Sequence, residues 1–185
     1  LEAIDRLGLA DNTFVIYMSD NGSGGGGGRG RGLRGGLSGG KGSLWEGGIR
    51  VPMIARWPGT IKAGVTTDHI SGFQDVFPTL ADFAGAETSK TDGISMVPTL
   101  LGKLDQQKKH PHLYWEFYEQ GGKLAVVKED WKAVRLNVLK NPDEPIELYD
   151  LSEDIGEENN VADQHPDIVA DMAAIMKREH VDLKP

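Results

Sequence analysis

Thr13-Phe14-Val15-Ile16-Tyr17-Met18-Ser19-Asp20-Asn21-Gly22 is the stretch whose reading decides the fold. Five apolar residues with β-branched and aromatic members suit a strand covered on both faces, as in an α/β sheet. The run ends in a hydroxyl, a carboxylate, an amide and a glycine. In open α/β sheets ligands bind outside the carboxyl ends of the strands. Asp20 and Asn21 are therefore expected at a ligand-binding edge. Both carry hard oxygens suited to Ca²⁺ or Mg²⁺. Further on, Gly40-Lys41-Gly42-Ser43 holds a lysine between glycines. That places a positive charge on a backbone able to approach an anion closely.

Working outward, Leu1, Ile4 and Leu7 are spaced as one helical stripe, and Gly8 is a suitable stop. Between Gly22 and Gly40, twelve of nineteen residues are glycine, which predicts a mobile or linker-like loop. Val51 to Trp57 reads as a second strand, ended by Pro58-Gly59. Phe73, Val76, Phe77, Leu80, Phe83 and Ala84 form an apolar helical stripe, with Pro78 expected to open the regular helix and Gly85 to end it. Met96 to Leu101 reads as a short helical piece. From His112 to Arg135 the period changes to alternation, with a turn at Gln120-Gly121-Gly122. Leu113–Tyr118, Leu124–Lys128, Trp131–Leu136 and Ile146–Tyr149 read as an antiparallel meander. Pro166 then opens a helix with Ile168, Val169, Met172, Ile175 and Met176 on one face. Two parts follow: an α/β part over residues 1–104, with its glycine-rich loop at 22–40, and a small antiparallel subdomain with a C-terminal helix over 105–185.

Net charge of −8 argues against nucleic acid or an anionic membrane as partner. No run reaches the roughly 18 apolar residues that a membrane span needs. With no cysteine there is no disulfide, no thiolate metal site and no cysteine-derived nucleophile. The chain opens at Leu1 on half of an α/β repeat, so it is expected to be a piece of something larger.

Several motifs match in order. SDNG ends the first strand, and LRGGLSGGKGSLWEGGIRVPMIARWPG follows the loop. Then come Asp75-Val76-Phe77-Pro78-Thr79-Leu80, Asp92-Gly93, and Glu147-Leu148-Tyr149-Asp150-Leu151 with Glu157-Glu158-Asn159-Asn160. In this order they resemble the C-terminal portion of the arylsulfatase-type sulfatases, in the alkaline phosphatase-like superfamily. The resemblance implies an α/β sheet followed by a small antiparallel sheet with a C-terminal helix. It implies that Asp20 and Asn21 ligate Ca²⁺ and that Lys41 contacts the sulfate and offsets charge in the transition state. It further implies a formylglycine nucleophile made from a Cys or Ser in a C/S-x-P-x-R motif, which this chain lacks. The complete enzyme would cleave a sulfated small molecule or sulfated polysaccharide, and would be exported. An N-terminal sulfatase portion or a second copy of the chain is the expected protein partner. The glycine-rich replacement departs from the family's more varied loop.

Other readings stand beside this one. The chain is alternatively a sulfatase-related binding or structural module without catalysis, or belongs to a phosphate-ester hydrolase of the related superfamily. Asp20-Asn21 alone would also suit a polar turn after a strand, and Lys41 a solvated loop. Asn21-Gly22-Ser23 is formally a glycosylation sequon, which a metal ligand in a pocket floor does not serve. Gly35 to Ser43 misses the P-loop pattern by one position, since Gly42 follows Lys41. Arg29, Arg31 and Arg34 lack the interleaved aromatics of a nucleic-acid segment. Glu46 and Arg50 are expected to form a structural ion pair. His112 is read as a sheet or surface residue, with a pocket-lining role as the alternative. Asp150, Ser152, Asp154 and Gly156 do not complete a calcium loop.

Overall fold

The computed structural model describes residues 1–24 and 36–181. In chain order the elements are α1 (Glu2–Arg6), β1 (Val15–Met18), α2 (Glu46–Ile49), β2 (Met53–Arg56), α3 (Val76–Ala84) and α4 (Val97–Leu100). They continue with β3 (Leu113–Phe117), β4 (Lys123–Lys128), β5 (Trp131–Leu136), β6 (Glu147–Asp150) and α5 (Pro166–Glu179). The chain divides into two compact units. One comprises Leu1–Met18 and Pro52–His110, the other Ser19–Val51 and Pro111 onward. The expected two-part division had one break, near residue 105. The observed break at His110 is close to it, but residues 19–51 belong with the later unit, for a reason given by their packing below.

In the first unit β1 pairs antiparallel with β2, from Val15 opposite Arg56 to Met18 opposite Met53. The apolar run of β1 is not covered on both faces as its sequence suggests. Tyr17 and its partner Ile54 are 64% and 63% exposed, and β2 is its only neighbour among the described residues. The run instead anchors through an aromatic cluster. Phe14 lies 5.0 Å from Phe83 of α3 and 6.0 Å from Trp57, and Trp57 meets Phe83 edge-on at 5.1 Å. Such tilted contacts suit the ring quadrupoles. Trp57 Nε1 donates to the Asp11 carbonyl at 2.8 Å, and Arg56 pairs with Asp5 at 2.8 Å. These bonds tie the segment around α1 to β2.

α3 starts at Val76, after a 3₁₀ turn over Phe73–Asp75, and not at Pro78. The cause is the buried carboxylate of Asp75. Its Oδ2 accepts the Gly72 N–H at 2.8 Å, and its Oδ1 accepts the Ile94 N–H at 2.7 Å and meets His110 Nε2 at 2.8 Å. Pro78 falls within the first turn, where its missing N–H costs nothing. Thr79 Oγ1 donates to the Asp75 carbonyl and accepts the Met96 N–H, joining α3 to the start of α4. Gly85, at φ +63°, ends α3 as expected.

In the second unit β3-β4-β5-β6 form one antiparallel sheet in sequence order, the meander read from alternation. Successive side chains of a strand point to opposite faces. Leu124 and Val126 of β4, with Ala133, Ile146 and Leu148, pack on Met172, Ile175 and Met176 of α5. Ala125, Val134 and Tyr149 point the other way and pack on Leu44 and Trp45. The segment preceding α2 therefore covers the second face of this sheet, which is why residues 19–51 join this unit.

A buried charge cluster fixes that cover. Lys132 of β5 points to the same face as Val134 and is fully buried. Its Nζ lies 2.8 Å from Glu46 Oε1 and 3.1 Å from Glu157 Oε1. Glu157 Oε2 accepts the Glu46 N–H at 2.7 Å, and Arg50 Nε donates to Glu46 Oε2 at 2.7 Å. The expected Glu46–Arg50 pair is thus present as one arm of a larger network. Burial pushes both carboxyls up. At Glu46 the Lys132 ammonium and the Arg50 guanidinium outweigh burial and hold it below the usual carboxylate range. At Glu157 burial wins and the carboxyl stays above that range.

Because the Glu46 pKa is depressed on folding, its contribution is present above the unfolded value and is lost as pH falls through the folded one. Lys132→Met strands both carboxylates and is expected to cost about 3–5 kcal/mol at neutral pH, read by urea unfolding. Without the ammonium both carboxyls protonate more readily. The gap between the variant and the wild type should therefore narrow toward about pH 4. An undiminished gap there would contradict this account.

Candidate active site

Met18 ends β1, and the chain turns at once. Ser19 Oγ donates to the Asn21 carbonyl at 2.9 Å, closing a tight turn that carries Asp20. Two backbone bonds then lay this loop beside the lysine loop. The Gly22 N–H donates to the Gly48 carbonyl at 2.9 Å, and the Lys41 N–H donates to the Ser23 carbonyl at 3.0 Å. Asp20, Asn21 and Lys41 are thus brought onto one pair of adjoining loops. Asp20 and Lys41 are exposed and Asn21 is half-buried.

Ser43 shapes the lysine turn. Its Oγ donates to the Gly40 carbonyl at 2.8 Å and accepts the Gly40 N–H at 3.0 Å, while its own N–H returns to Gly40 at 2.9 Å. Lys41 stands within this closed turn. The expectation of a loose segment over residues 22–40 fails at both ends. Gly22 is buried, and so are Ser38, Gly39 and Gly40. Ser38 Oγ donates to the Gly156 carbonyl at 2.6 Å, and its carbonyl accepts the Gly47 N–H at 2.6 Å. The glycines here serve close approach: a Cβ on Gly22 would collide with the Gly47 carbonyl, and one on Gly48 with the carbonyls of Ser43 and Gly40. The middle of the glycine-rich run, with Arg29, Arg31 and Arg34, lies outside the described residues.

Asp20 and Asn21 offer oxygen donors of the kind a hard divalent cation takes. No group of three or more His, Cys, Asp or Glu able to hold a metal occurs among the described residues. The three side-chain oxygens of Asp20 and Asn21 fall short of the six to eight that Ca²⁺ takes. By themselves they do not complete a shell.

Sequence reasoning missed three supporting side chains. Lys132 and Glu157 hold α2, and so the Gly48 carbonyl, in place. The alternation of β5 puts Lys132 on the Val134 side, a core position, and that was the available signal. Lys123, the first residue of β4, is mostly buried. Its Nζ donates to the Gly42 carbonyl at 2.6 Å and to Gln120 Oε1 at 2.7 Å, and lies 5.2 Å from the Phe117 ring centre. Burial pulls its pKa below the usual lysine value against the opposing charge of Glu119.

The remaining singled-out residues have structural partners. His112 Nε2 meets Glu179 Oε1 at 3.1 Å, linking the start of β3 to the end of α5. Asp150 accepts from the N–H and Oγ of Ser152, and Asp154 accepts the N–H groups of Glu158 and Asn159. Asn160 Oδ1 accepts the Leu148 N–H. They build turns.

Residues 40–183 match the family described as N-sulphoglucosamine sulphohydrolase, C-terminal. Steryl-sulfatase of Rattus norvegicus is 44% identical over 62% of this chain and 21% of its own length. Arylsulfatase A of Bos taurus is 33% identical over 96% of this chain and 39% of its own length. The solved structure of Ps i-CgsB in complex with k-i-k-neocarrahexaose superposes with a TM-score of 0.80 at 31% identity, over 96% of this chain and 38% of that one. The chain thus spans about a fifth to two-fifths of the length of these relatives.

Gly22→Ala forces the Asp20 loop off the Gly47–Gly48 backbone. The expected result is faster hydrogen exchange at the Gly22 and Lys41 amides, with exchange in β4 and β5 unchanged. Unaltered exchange at those two amides would show that the loops do not depend on this contact.

Proposed function

Because the chain belongs to the N-sulphoglucosamine sulphohydrolase C-terminal family of sulfatases, we propose that it is the C-terminal portion of a sulfatase that hydrolyses sulfate esters of a saccharide. The observation that carries this reading is the pair of bonds from Gly22 to Gly48 and from Lys41 to Ser23, which unites Asp20, Asn21 and Lys41 on one platform. The neocarrahexaose complex of Ps i-CgsB supports a saccharide as the alcohol part. The exposed Tyr17–Ile54 face of the small sheet supports cover by further chain.

In this reading Asp20 and Asn21 supply side-chain oxygens to Ca²⁺, with the other ligands and the formylglycine nucleophile contributed by an N-terminal portion. The ion supplies Lewis acidity and a template for the sulfate. Lys41 lies across from this turn on a backbone fixed by Ser43 and Ser23. Its ammonium meets a sulfate oxygen and offsets negative charge there. Flanking glycines keep the loop backbone from crowding the anion. Water and the ester are converted to alcohol and sulfate.

The test uses the chain assembled with an N-terminal sulfatase portion, an aryl sulfate and a sulfated oligosaccharide. Asp20→Ala is expected to abolish turnover and calorimetric Ca²⁺ binding together. Lys41→Met is expected to lower kcat/KM about 10²–10³-fold. Full turnover by the Asp20 variant would sink the assignment. Saccharide binding without turnover in the assembled wild type would show a binding module instead.

A further inference from the structure

We propose that Lys123 is a positioning residue for Lys41: its ammonium pins the Gly42 carbonyl and so fixes where the neighbouring Lys41 presents its charge to a sulfate group. The inference rests on the reading of Lys41 given above.

The bracket is built from three parts. Lys123 is held at the first position of β4, opposite Phe117 of β3 and Leu136 of β5 in the ladder. Its Nζ spans from Gln120 Oε1 to the Gly42 carbonyl, at 2.7 and 2.6 Å. The β3–β4 turn supplies the second part. Gln120, Gly121 and Gly122 all have positive φ, at 54°, 93° and 77°. For glutamine that conformation costs on the order of 1 kcal/mol. It is held where its amide receives the Lys123 ammonium. The third part is Gly42 itself, at φ +85°, where a Cβ would lie 3.3 Å from Gln120 Nε2. The lysine turn thus abuts the β3–β4 turn, and Lys123 bonds to both.

The choice of lysine for this bond carries the functional reading. A neutral donor would satisfy Gly42 without placing a cation beside a loop that already carries Lys41. Like charges on adjoining groups repel. An anion at Lys41 offsets that repulsion, while the Lys123 ammonium stays on the Gly42 carbonyl and Gln120 Oε1. Glu119, on the same turn, is the carboxylate whose charge bears on Lys123. Burial lowers the Lys123 pKa, so on raising pH its charge-assisted bond to Gly42 weakens before an ordinary lysine would titrate.

The experiment measures kcat/KM for an aryl sulfate in the assembled enzyme, for Lys123→Met, Lys123→Arg, Lys41→Met and the Lys41→Met/Lys123→Met double variant. Lys123→Met should lower kcat/KM about tenfold, and Lys123→Arg should restore most of it. The double variant should be no worse than Lys41→Met, since coupled residues are not additive. The alkaline fall of the wild-type profile should move to higher pH in Lys123→Arg, whose guanidinium does not titrate there. Additive losses, or an unchanged kcat/KM in Lys123→Met, overturn the inference. If Lys41→Met itself changes nothing, the Lys41 reading fails and this one with it. Melting temperatures check folding. Should Lys123→Met not fold, Gln120→Ala removes one side of the bracket, and the same comparison with Lys41→Met decides.

Discussion

Two buried carboxylates and one buried ammonium hold this structure to a single arrangement. Taking a charge out of water costs several kcal/mol per ion, so removing one partner is strongly destabilising. Lys132 comes from the middle of the four-stranded sheet, Glu46 from α2, and Glu157 from the segment after β6. This placement of α2 on the sheet lets Lys132 reach both carboxylates while the Glu46 N–H reaches Glu157. Hydrophobic cover by Leu44 and Trp45 would tolerate sliding; the charges do not. The backbone of Glu157, at φ +54°, is strained for a glutamate. Its Oε2 accepts the Glu46 N–H, and its Oε1 lies 3.1 Å from the Lys132 ammonium. The unequal titration of the two carboxyls follows. Glu46 meets two cations and stays ionised, while Glu157 meets one and is dominated by its burial.

The candidate site inherits its geometry from this constraint. α2 carries Gly48, whose carbonyl receives the Gly22 N–H. The position of Asp20 and Asn21 therefore descends from Lys132 through Glu46, α2 and Gly48. The glycines along this route have a steric role. At Gly22, Gly47 and Gly48 a Cβ would meet backbone oxygen, so the loops approach as closely as two backbones can. A segment that looks entropically wasteful in sequence is at these positions a packing requirement.

Much of the molecule was legible beforehand, for physical reasons. The β3–β4 hairpin was legible from the alternation in β3 and the Gln120-Gly121-Gly122 turn, and α5 shows its stripe because only one side is buried. The order of motifs singled out Asp20, Asn21 and Lys41, and the structure places them on adjoining loops. What was not legible depended on partners far along the chain. The apolar run of β1 could not reveal that nothing in the described residues covers Tyr17. Pro78 suggested a helix start, but Asp75, bonded to Ile94 and His110, set it earlier. Composition marked residues 22–40 as loose, although Ser38 to Gly40 are buried by contact with Gly47 and Gly156. Local rules fail where a residue's partner is more than a hundred positions away, as for Ser38 and Gly156 or Glu46 and Glu157.

The route of the chain explains how the residues flanking the glycine-rich run are held. Residues 19–52 leave the two-stranded sheet after Met18 and return at Met53, which is its partner in the ladder. The ends of the excursion are thus held side by side, and lengthening a closed loop adds only slowly to its entropy cost. Along the excursion the chain is gripped again at Gly22, Ser38, Lys41 and Glu46. The residues proposed to meet the ester lie at those grips: Asp20 and Asn21 just before Gly22, and Lys41 beyond Ser38. Site geometry and loop composition are thereby uncoupled. Changes at the grips would disturb the contacts that hold the two loops together.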